Sequence, residues 1–229
     1  MTRIVALTGA GVSAESGLRT FRDTGGLWEG YDVDDVATPE GFARDPDTVL
    51  RFYDARRRAA LAAEPNAAHR ALAALESRLG DELLVVTQNV DDLHERAGTR
   101  NLVHMHGELV RARCRACGAR PVWMADLSDR PPCPECAERM LRPDVVWFGE
   151  MPYGLDRIER AVTACDLFVS IGTSGSVYPA AGYVALASAS GARTLELNLE
   201  PGDGSAAFDE ARTGRATELV PAWVAEVGG

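Results

Sequence analysis

Short apolar runs recur along this chain at 4–7, 83–86, 145–148, 167–171 and 194–197, separated in several places by amphipathic stretches. Such largely apolar segments, broken only by Ser170 in the fourth and by Thr194 and Glu196 in the fifth, predict buried strands. The amphipathic stretches read as helices with recognisable ends. Asp45 stands as N-cap before Pro46, and the apolar positions continue through Leu50, Tyr53 and Ala60. Asn66 opens a second helix that runs to Arg78 and stops at Gly80. A third covers 155–164, and a fourth covers 179–190 and closes at Gly191. Strands alternating with helices predict an α/β fold around a parallel sheet with right-handed crossovers.

The stretch 111–142 breaks that rhythm. It has little apolar periodicity and is rich in Arg, Pro and Cys. Cys114-Arg115-Ala116-Cys117 and Cys133-Pro134-Glu135-Cys136 are two Cys-x2-Cys knuckles at the spacing of a tetrahedral zinc site. Disulfides or a redox pair would use the same residues, but two knuckles in one short insertion fit zinc better. Four sulfur ligands leave no open position, so such a zinc is structural. Cys165, outside the knuckles, reads as a buried core thiol.

Composition narrows the function. With 229 residues and 46% hydrophobic content, the chain can bury one large domain or a domain with a small appendage. Its apolar runs are too short to span a membrane. Met1-Thr2-Arg3 leads into only four apolar residues, so no secretory signal and a cytoplasmic location are expected. The net charge is −10, and all 24 basic residues are arginine. An acidic chain whose longest basic run is Arg56-Arg57-Arg58 is a poor partner for nucleic acid. A GC-rich genome accounts for the missing lysines.

Two polar clusters follow strands. After the run at 83–86 come Thr87-Gln88-Asn89-Val90-Asp91-Asp92-Leu93-His94, where a parallel sheet places its ligands. The plainer alternative is a loop in which Asp91 or Asp92 caps the next helix. After the first strand come Gly9-Ala10-Gly11-Val12-Ser13, a glycine turn suited to a nucleotide's pyrophosphate. The full dinucleotide fingerprint is missing. Position 14 is alanine, and no acidic residue closes a second strand some twenty residues on, so simple hydride transfer is not expected.

These motifs together resemble those of the sirtuins, NAD-dependent protein-lysine deacylases. The likeness rests on Gly9-Ala10-Gly11-Val12-Ser13, Gly17-Leu18-Arg19-Thr20-Phe21-Arg22, the cluster from Thr87 to His94, His106-Gly107, the four cysteines, Phe148-Gly149-Glu150 and Gly172-Thr173-Ser174, in the family's order. Arg19 stands where many members have proline, a feature shared with bacterial succinyl-removing members. The resemblance implies a Rossmann-like parallel sheet flanked by helices, formed by 1–32, 79–110 and 144–229. It also implies a small domain made of a helical module (33–78) and a four-cysteine zinc ribbon (111–143).

It further implies site residues. Gly9, Ala10, Gly11, Ser13 and Arg22 would line the phosphates of NAD, and Phe21 would cover the reacting ribose. Gln88, Asn89 and Asp91 would hold the nicotinamide ribose and carboxamide. Gly172, Thr173 and Ser174 would contact the phosphate and adenosine side, with Asn198 and Glu200 nearby and Ala216 touching adenine. Segment 146–150, with Val146, Phe148, Gly149 and Glu150, and the loop carrying Val177 would pair with an acylated-lysine peptide as strands. His106 would be the base that takes a proton from the ribose hydroxyl. On spacing alone His104, read on the same strand and face, competes with it; His69 and His94 read as ordinary helix residues.

Tyr53 and Arg56 lie three apart on one helical face and can converge on a carboxylate. Sirtuins that remove succinyl and malonyl groups carry this pair, although a solvated helix face gives the same pattern. Ala37 would leave room for a longer acyl chain. The expected reaction removes succinyl, malonyl and acetyl groups from lysine and yields nicotinamide and O-acyl-ADP-ribose. Protein ADP-ribosyl transfer and a non-catalytic binding module are the alternatives.

Overall fold

A computed structural model describes residues 2–19, 27–28 and 30–227. Strand β1 (Ile4–Thr8) leads into the short helix α1 (Ala10–Ala14). The hairpin β2 (Leu27–Trp28) and β3 (Tyr31–Asp32) precedes α2 (Val33–Val36), α3 (Pro39–Arg44), α4 (Pro46–Ala62) and α5 (Ala67–Leu79). Then come β4 (Leu83–Thr87), α6 (Leu93–Ala97), β5 (Leu102–His104), β6 (Gly107–Cys114) and β7 (Leu141–Val145). The chain closes with α7 (Leu155–Ala164), β8 (Leu167–Ile171), α8 (Tyr183–Ala189), β9 (Arg193–Asn198), β10 (Glu210–Thr213) and α9 (Ala216–Val227).

The caps explain why the long helices start where they do. Asp45 Oδ1 accepts from Thr48 N at 3.0 Å, with Pro46 in the first turn of α4. Asn66 Oδ1 accepts from Ala68 N at 3.0 Å, and His69 completes a capping box on α5.

Six strands form one parallel sheet in the order β10-β9-β8-β1-β4-β5. The chain builds outward from β1 to β4 and β5, then returns to lay β8, β9 and β10 on the other side. The strand order therefore reverses beside β1, where such sheets place ligands. Alternate residues of β1 and β4 feed two apolar layers. Ile4, Ala6, Leu83 and Val85 pack under α5 and Trp223 of α9, while Val5, Leu7, Leu84 and Val86 pack with Ile158 and Val162 of α7 and Tyr183 of α8.

A third apolar cluster lies off the sheet. Phe42, Leu50, Tyr53, Leu109, Leu127, Leu141, Val145 and Trp147 join α3 and α4 to the antiparallel pair β6–β7. Its centre holds a buried ion pair. Asp54 Oδ1 accepts from Arg57 Nη1 at 2.6 Å and from Leu127 N at 2.9 Å, and Asp54 Oδ2 accepts from Ser128 N at 2.9 Å. Arg57 Nε donates to Leu109 O at 2.6 Å. This clamp fastens α4 to the cysteine-bearing insertion, and removing one partner of such a pair costs about 3–5 kcal/mol.

Three sequence expectations need correction. The run at 145–148 is not a sheet strand: β7 ends at Val145, pairs antiparallel with β6, and the chain then turns so that Trp147 is buried and Phe148 half-exposed. Apolar side chains there answer to the third cluster, which no periodicity in the segment reveals. His104 and His106 do not share a strand face. β5 ends at His104, and a turn at 105–106 precedes Gly107, whose φ of +82° and close approach to Asp144 O suit glycine alone. The helix expected at 179–190 begins as a 3-10 turn at Ala180–Gly182, and α8 itself spans Tyr183–Ala189. Strands β2, β3, β6 and β10 and helices α2, α3 and α9 escaped the sequence pattern, most of them because they are short or exposed on one side.

Candidate active site

A cleft of about 1420 Å³ opens at the carboxyl ends of β1, β4, β8 and β9 and reaches α4 and the turn after β7. Among the residues named from sequence, those on its wall are Gly9, Ala10, Gly11, Ser13, Tyr53, Arg56, Gln88, Asn89, Asp91, His106, Val146, Phe148, Gly149, Glu150, Gly172, Thr173, Ser174, Val177, Asn198, Glu200 and Ala216. Phe21 and Arg22 lie outside the described residues.

The glycines have a reason that spacing did not reveal. A Cβ on Gly9 would sit 2.7 Å from Gly172 O, and one on Gly11 would sit 2.8 Å from Gly172 Cα. The turns after β1 and β8 thus cross backbone against backbone, with Gly11 N donating to Gly172 O at 2.9 Å. Asn198 Nδ2 donates to Thr173 O at 2.7 Å and ties the turn after β9 to the same floor.

The loop after β4 is wired tightly. Asn89 Nδ2 donates to Gly9 O at 3.0 Å and Ser13 Oγ at 3.1 Å. Asp91 is committed within the protein: Oδ1 accepts from Leu93 N at 3.2 Å at the start of α6, and Oδ2 accepts from Ser13 Oγ at 3.0 Å, while Asp92 occupies the N-cap position without a side-chain bond to the helix. Burial pushes the Asp91 carboxyl up, against the Leu93 amide and the Ser13 hydroxyl, which favour the anion.

His106 faces the cleft with its Nδ1 3.2 Å from Gln88 O. That bond assigns the proton to Nδ1 and leaves Nε2 as the basic nitrogen. Burial lowers the imidazole below its ordinary value, opposed by the Gln88 carbonyl, so at neutral pH it is uncharged and can accept a proton. His104 instead lies outside this cleft, with Nε2 2.7 Å from Glu95 Oε1. The structure thus separates two histidines that spacing could not.

His69 and His94 are less ordinary than their helices suggest. His69 Nε2 lies 3.4 Å from Ser13 Oγ, and His94 Nε2 lies 3.0 Å from Thr8 Oγ1. Burial lowers His69 to about 4 and His94 well below the usual range, so both are neutral supports of the floor. The Asn66 cap carried a hint, since its helix start places His69 one turn in.

On the opposite wall, the basic run of α4 divides three ways. Arg57 is buried in the clamp, and Arg58 pairs with Asp126 at 2.6 Å on the surface. Arg56 is half-buried and lines the cleft, its guanidinium carbon 5.7 Å from the Phe52 ring centre. Tyr53 is fully buried, and its hydroxyl accepts from Trp147 Nε1 at 2.9 Å. Burial raises the phenol to about 12, which keeps it a hydrogen-bond donor at any working pH. Trp147 is a site residue that the sequence pattern placed on a strand. Ala37 also lines the wall, and its carbonyl accepts from Phe148 N at 2.9 Å.

Segment 146–150 is fixed from behind. Val146 N donates to His106 O at 2.8 Å, and the Glu150 carboxylate accepts from Arg142 Nη2 at 2.7 Å and Trp147 N at 3.0 Å. Glu150 borders the cleft with its charge already engaged by Arg142.

The four thiols of Cys114, Cys117, Cys133 and Cys136 gather within 4.8 Å of one another. The Cys114–Cys136 and Cys117–Cys133 sulfur separations are 3.7 and 3.8 Å. Zinc–sulfur bonds of about 2.3 Å in a tetrahedron put sulfurs about 3.8 Å apart, so the cage fits Zn²⁺ and leaves no fifth donor or open position. Cys165 is buried apart from them, its thiol donating to Val162 O at 3.2 Å.

Fold, cleft and cysteine cage define a two-part α/β protein with a nucleotide-sized site and a zinc ribbon. The Sir2 family profile matches residues 9–179, and the chain belongs to that family. It is 58% identical over 227 residues to a Pasteurella multocida NAD-dependent protein deacylase, covering 98% of this chain and 97% of that one. A Caulobacter vibrioides protein of the same name is 58% identical over 226 residues, covering 97% and 95%. A Sir2 homologue solved with ADP-ribose superposes with a TM-score of 0.91 at 42% identity, covering 99% of this chain and 92% of that one. A Sir2 enzyme bound to a deacetylated peptide and 3′-O-acetyl ADP-ribose superposes at 0.86 and 29% identity, covering 99% and 94%.

Proposed function

We propose that this chain is an NAD-dependent protein-lysine deacylase that removes succinyl and malonyl groups, and acetyl groups as well. The observation that carries this reading is one cleft lined by a neutral histidine, by the glycine turns and by the Tyr53–Arg56 pair. NAD, when bound, supplies the ribose carbon that receives the acyl oxygen as nicotinamide leaves. His106 takes the proton of the ribose hydroxyl at Nε2. Asn89, Gln88 and Asp91 orient the nicotinamide ribose and carboxamide, and Gly9, Ala10, Gly11, Ser13 and the Gly172–Ser174 turn seat the phosphates. Asn198, Glu200 and Ala216 border the adenosine side; Phe21 and Arg22 belong to the same reading on sequence alone. The Arg56 guanidinium and Tyr53 hydroxyl grip the acidic acyl tail.

Segment 146–150 and Val177 hold the peptide, and the four cysteines bind one structural Zn²⁺. The division of labour follows the three sequence segments of the NAD domain (1–32, 79–110, 144–229) and the two modules of the small domain (33–78, 111–143). A cytoplasmic location belongs with this reading, because clustered thiols stay reduced there. The net charge of −10 argues against nucleic acid as a partner, and no described helix is long and apolar enough to cross a membrane. The chain has no lysine side chain of its own to acylate.

Turnover of one peptide carrying acetyl-, succinyl- or unmodified lysine, followed by mass spectrometry with NAD, tests the proposal. Succinyl loss matched by O-succinyl-ADP-ribose supports it in full. Acetyl loss alone removes the role of Tyr53 and Arg56. Labelled ADP-ribose on protein without acyl loss replaces deacylation with ADP-ribosyl transfer.

A further inference from the structure

Adjacent carbonyls of the loop after β4 are held by two different histidines from two sides. Inside the cleft, His106 Nδ1 lies 3.2 Å from Gln88 O. Outside it, His104 Nδ1 lies 3.0 Å from Asn89 O, while its Nε2 meets Glu95 Oε1 at 2.7 Å. The His104 side chain is only 9% exposed. It borders a separate cavity of about 370 Å³ on the far side of β5.

We propose that Glu95 and His104 form a positioning pair that fixes the Asn89 carbonyl from behind, and with it the pitch of the loop whose side chains face the nicotinamide ribose. The inference rests on the deacylase reading above. Three features support it. Asn89 has its backbone N–H on Thr87 Oγ1 at 3.0 Å and its side chain on Gly9 and Ser13, so the His104 bond completes its restraint. Glu95 sits on α6, which starts from the same loop, so the pair closes a ring from Asn89 through His104 back to the first turn of that helix. Burial by itself would lower the His104 imidazole, but Glu95, with the Asn89 carbonyl and Glu108 acting in the same direction, outweighs it and raises the group.

Glu95, His104 and Glu108 also bring three donor atoms within 4.8 Å, as a divalent-cation site would. Arg100, Arg120 and Arg157 line the same small cavity, however, and their positive charge opposes a divalent cation there.

Side-chain isosteres test the pair. Asparagine reaches where imidazole Nδ1 lies, whereas glutamine reaches where Nε2 lies. His104→Asn keeps the donor to Asn89 O; His104→Gln keeps the Glu95 contact and loses the Asn89 bond. For the Gln variant we expect a fall of about ten- to a hundredfold in kcat/KM for NAD, with KM for the acyl peptide unchanged. The Asn variant should recover most of the loss. Melting curves on both proteins set an assay temperature at which each is folded. Glu95→Gln should fall between wild type and His104→Gln. Equal losses in the Asn and Gln variants, a loss that follows side-chain volume, or an unchanged kcat/KM for NAD would overturn the proposal. Wild-type protein in the same assay separates the two claims: if it cleaves NAD with no acyl peptide, the deacylase reading fails alone.

Discussion

The two walls of the cleft are built on different principles. The wall at the sheet is backbone: three glycines crossing within van der Waals limits, and a loop whose carbonyls and amides are already committed. The wall at α4 is side chain: a phenol and a guanidinium carried by a helix that belongs to another apolar cluster. Backbone geometry is shared by any substrate that brings the same nucleotide. The half-buried Arg56 can be exchanged with little disturbance of the fold, whereas Tyr53 is also part of the buried cluster. The proposed function puts the generic chemistry at the sheet and the selectivity at the helix, and each can be attacked separately.

The largest expected effect comes from the sheet wall. His106→Tyr removes the neutral imidazole that lines the cleft and should abolish turnover of every acyl group. Zinc content measured by metal analysis should stay at one ion per chain; retained turnover would assign the base elsewhere. Next is the support of the other wall. Asp54→Ala leaves Arg57 buried without its carboxylate and should cost about 3–5 kcal/mol in denaturant unfolding. Both succinyl turnover and NAD binding should decline, because Leu109, gripped by Arg57, also donates its N–H to Val90 O at 2.7 Å in the loop after β4. Removing zinc with a chelator should act in the same direction.

Arg56→Met leaves α4 in place and withdraws one charge. Losing about 2–5 kcal/mol of binding to an acidic tail corresponds to a drop of about thirty- to several-thousandfold in succinyl kcat/KM. Acetyl turnover should be nearly intact. Equal losses on both acyl groups would merge the two walls into one function.

The smallest effect is with pH. Burial holds His106 below the ordinary imidazole value of about 6.5, so the free base is fully available above that value and is lost as pH falls through its lower folded value. The acid limb of kcat/KM should therefore have its midpoint below 6.5. His69, lowered to about 4, adds a stability term with the same sign. Its contribution is complete above about pH 6.5 and disappears toward pH 4, a trend that thermal melts across that range would record.

Much of this was legible in the chain. Strands β1, β4 and β8 announced themselves because a strand buried on both faces needs consecutive apolar residues, and their neighbours α4 and α5 carried their caps in Asp45 and Asn66. The cysteine knuckles were legible because metal geometry dictates spacing within each pair. Trp147 was misplaced because its partners, Tyr53 and Phe42, come from a helical segment about a hundred residues earlier. The pairing of His104 with Glu95, only nine residues apart, was hidden differently: a histidine that ends a strand carries no mark of what lies across the loop.

The amino-acid sequence by itself determined the alternation of elements, the parallel sheet and the four-sulfur cage. Those features follow from local periodicity, capping and ligand spacing, which act over a few residues. Only the tertiary structure decided which of Arg56, Arg57 and Arg58 faces the cleft, which histidine faces it, and why Gly9 and Gly11 must be glycine. Each of those outcomes depends on a contact made by another part of the chain: Leu109 and Ala125 for Arg57, Glu95 for His104, and Gly172 for the glycine turn.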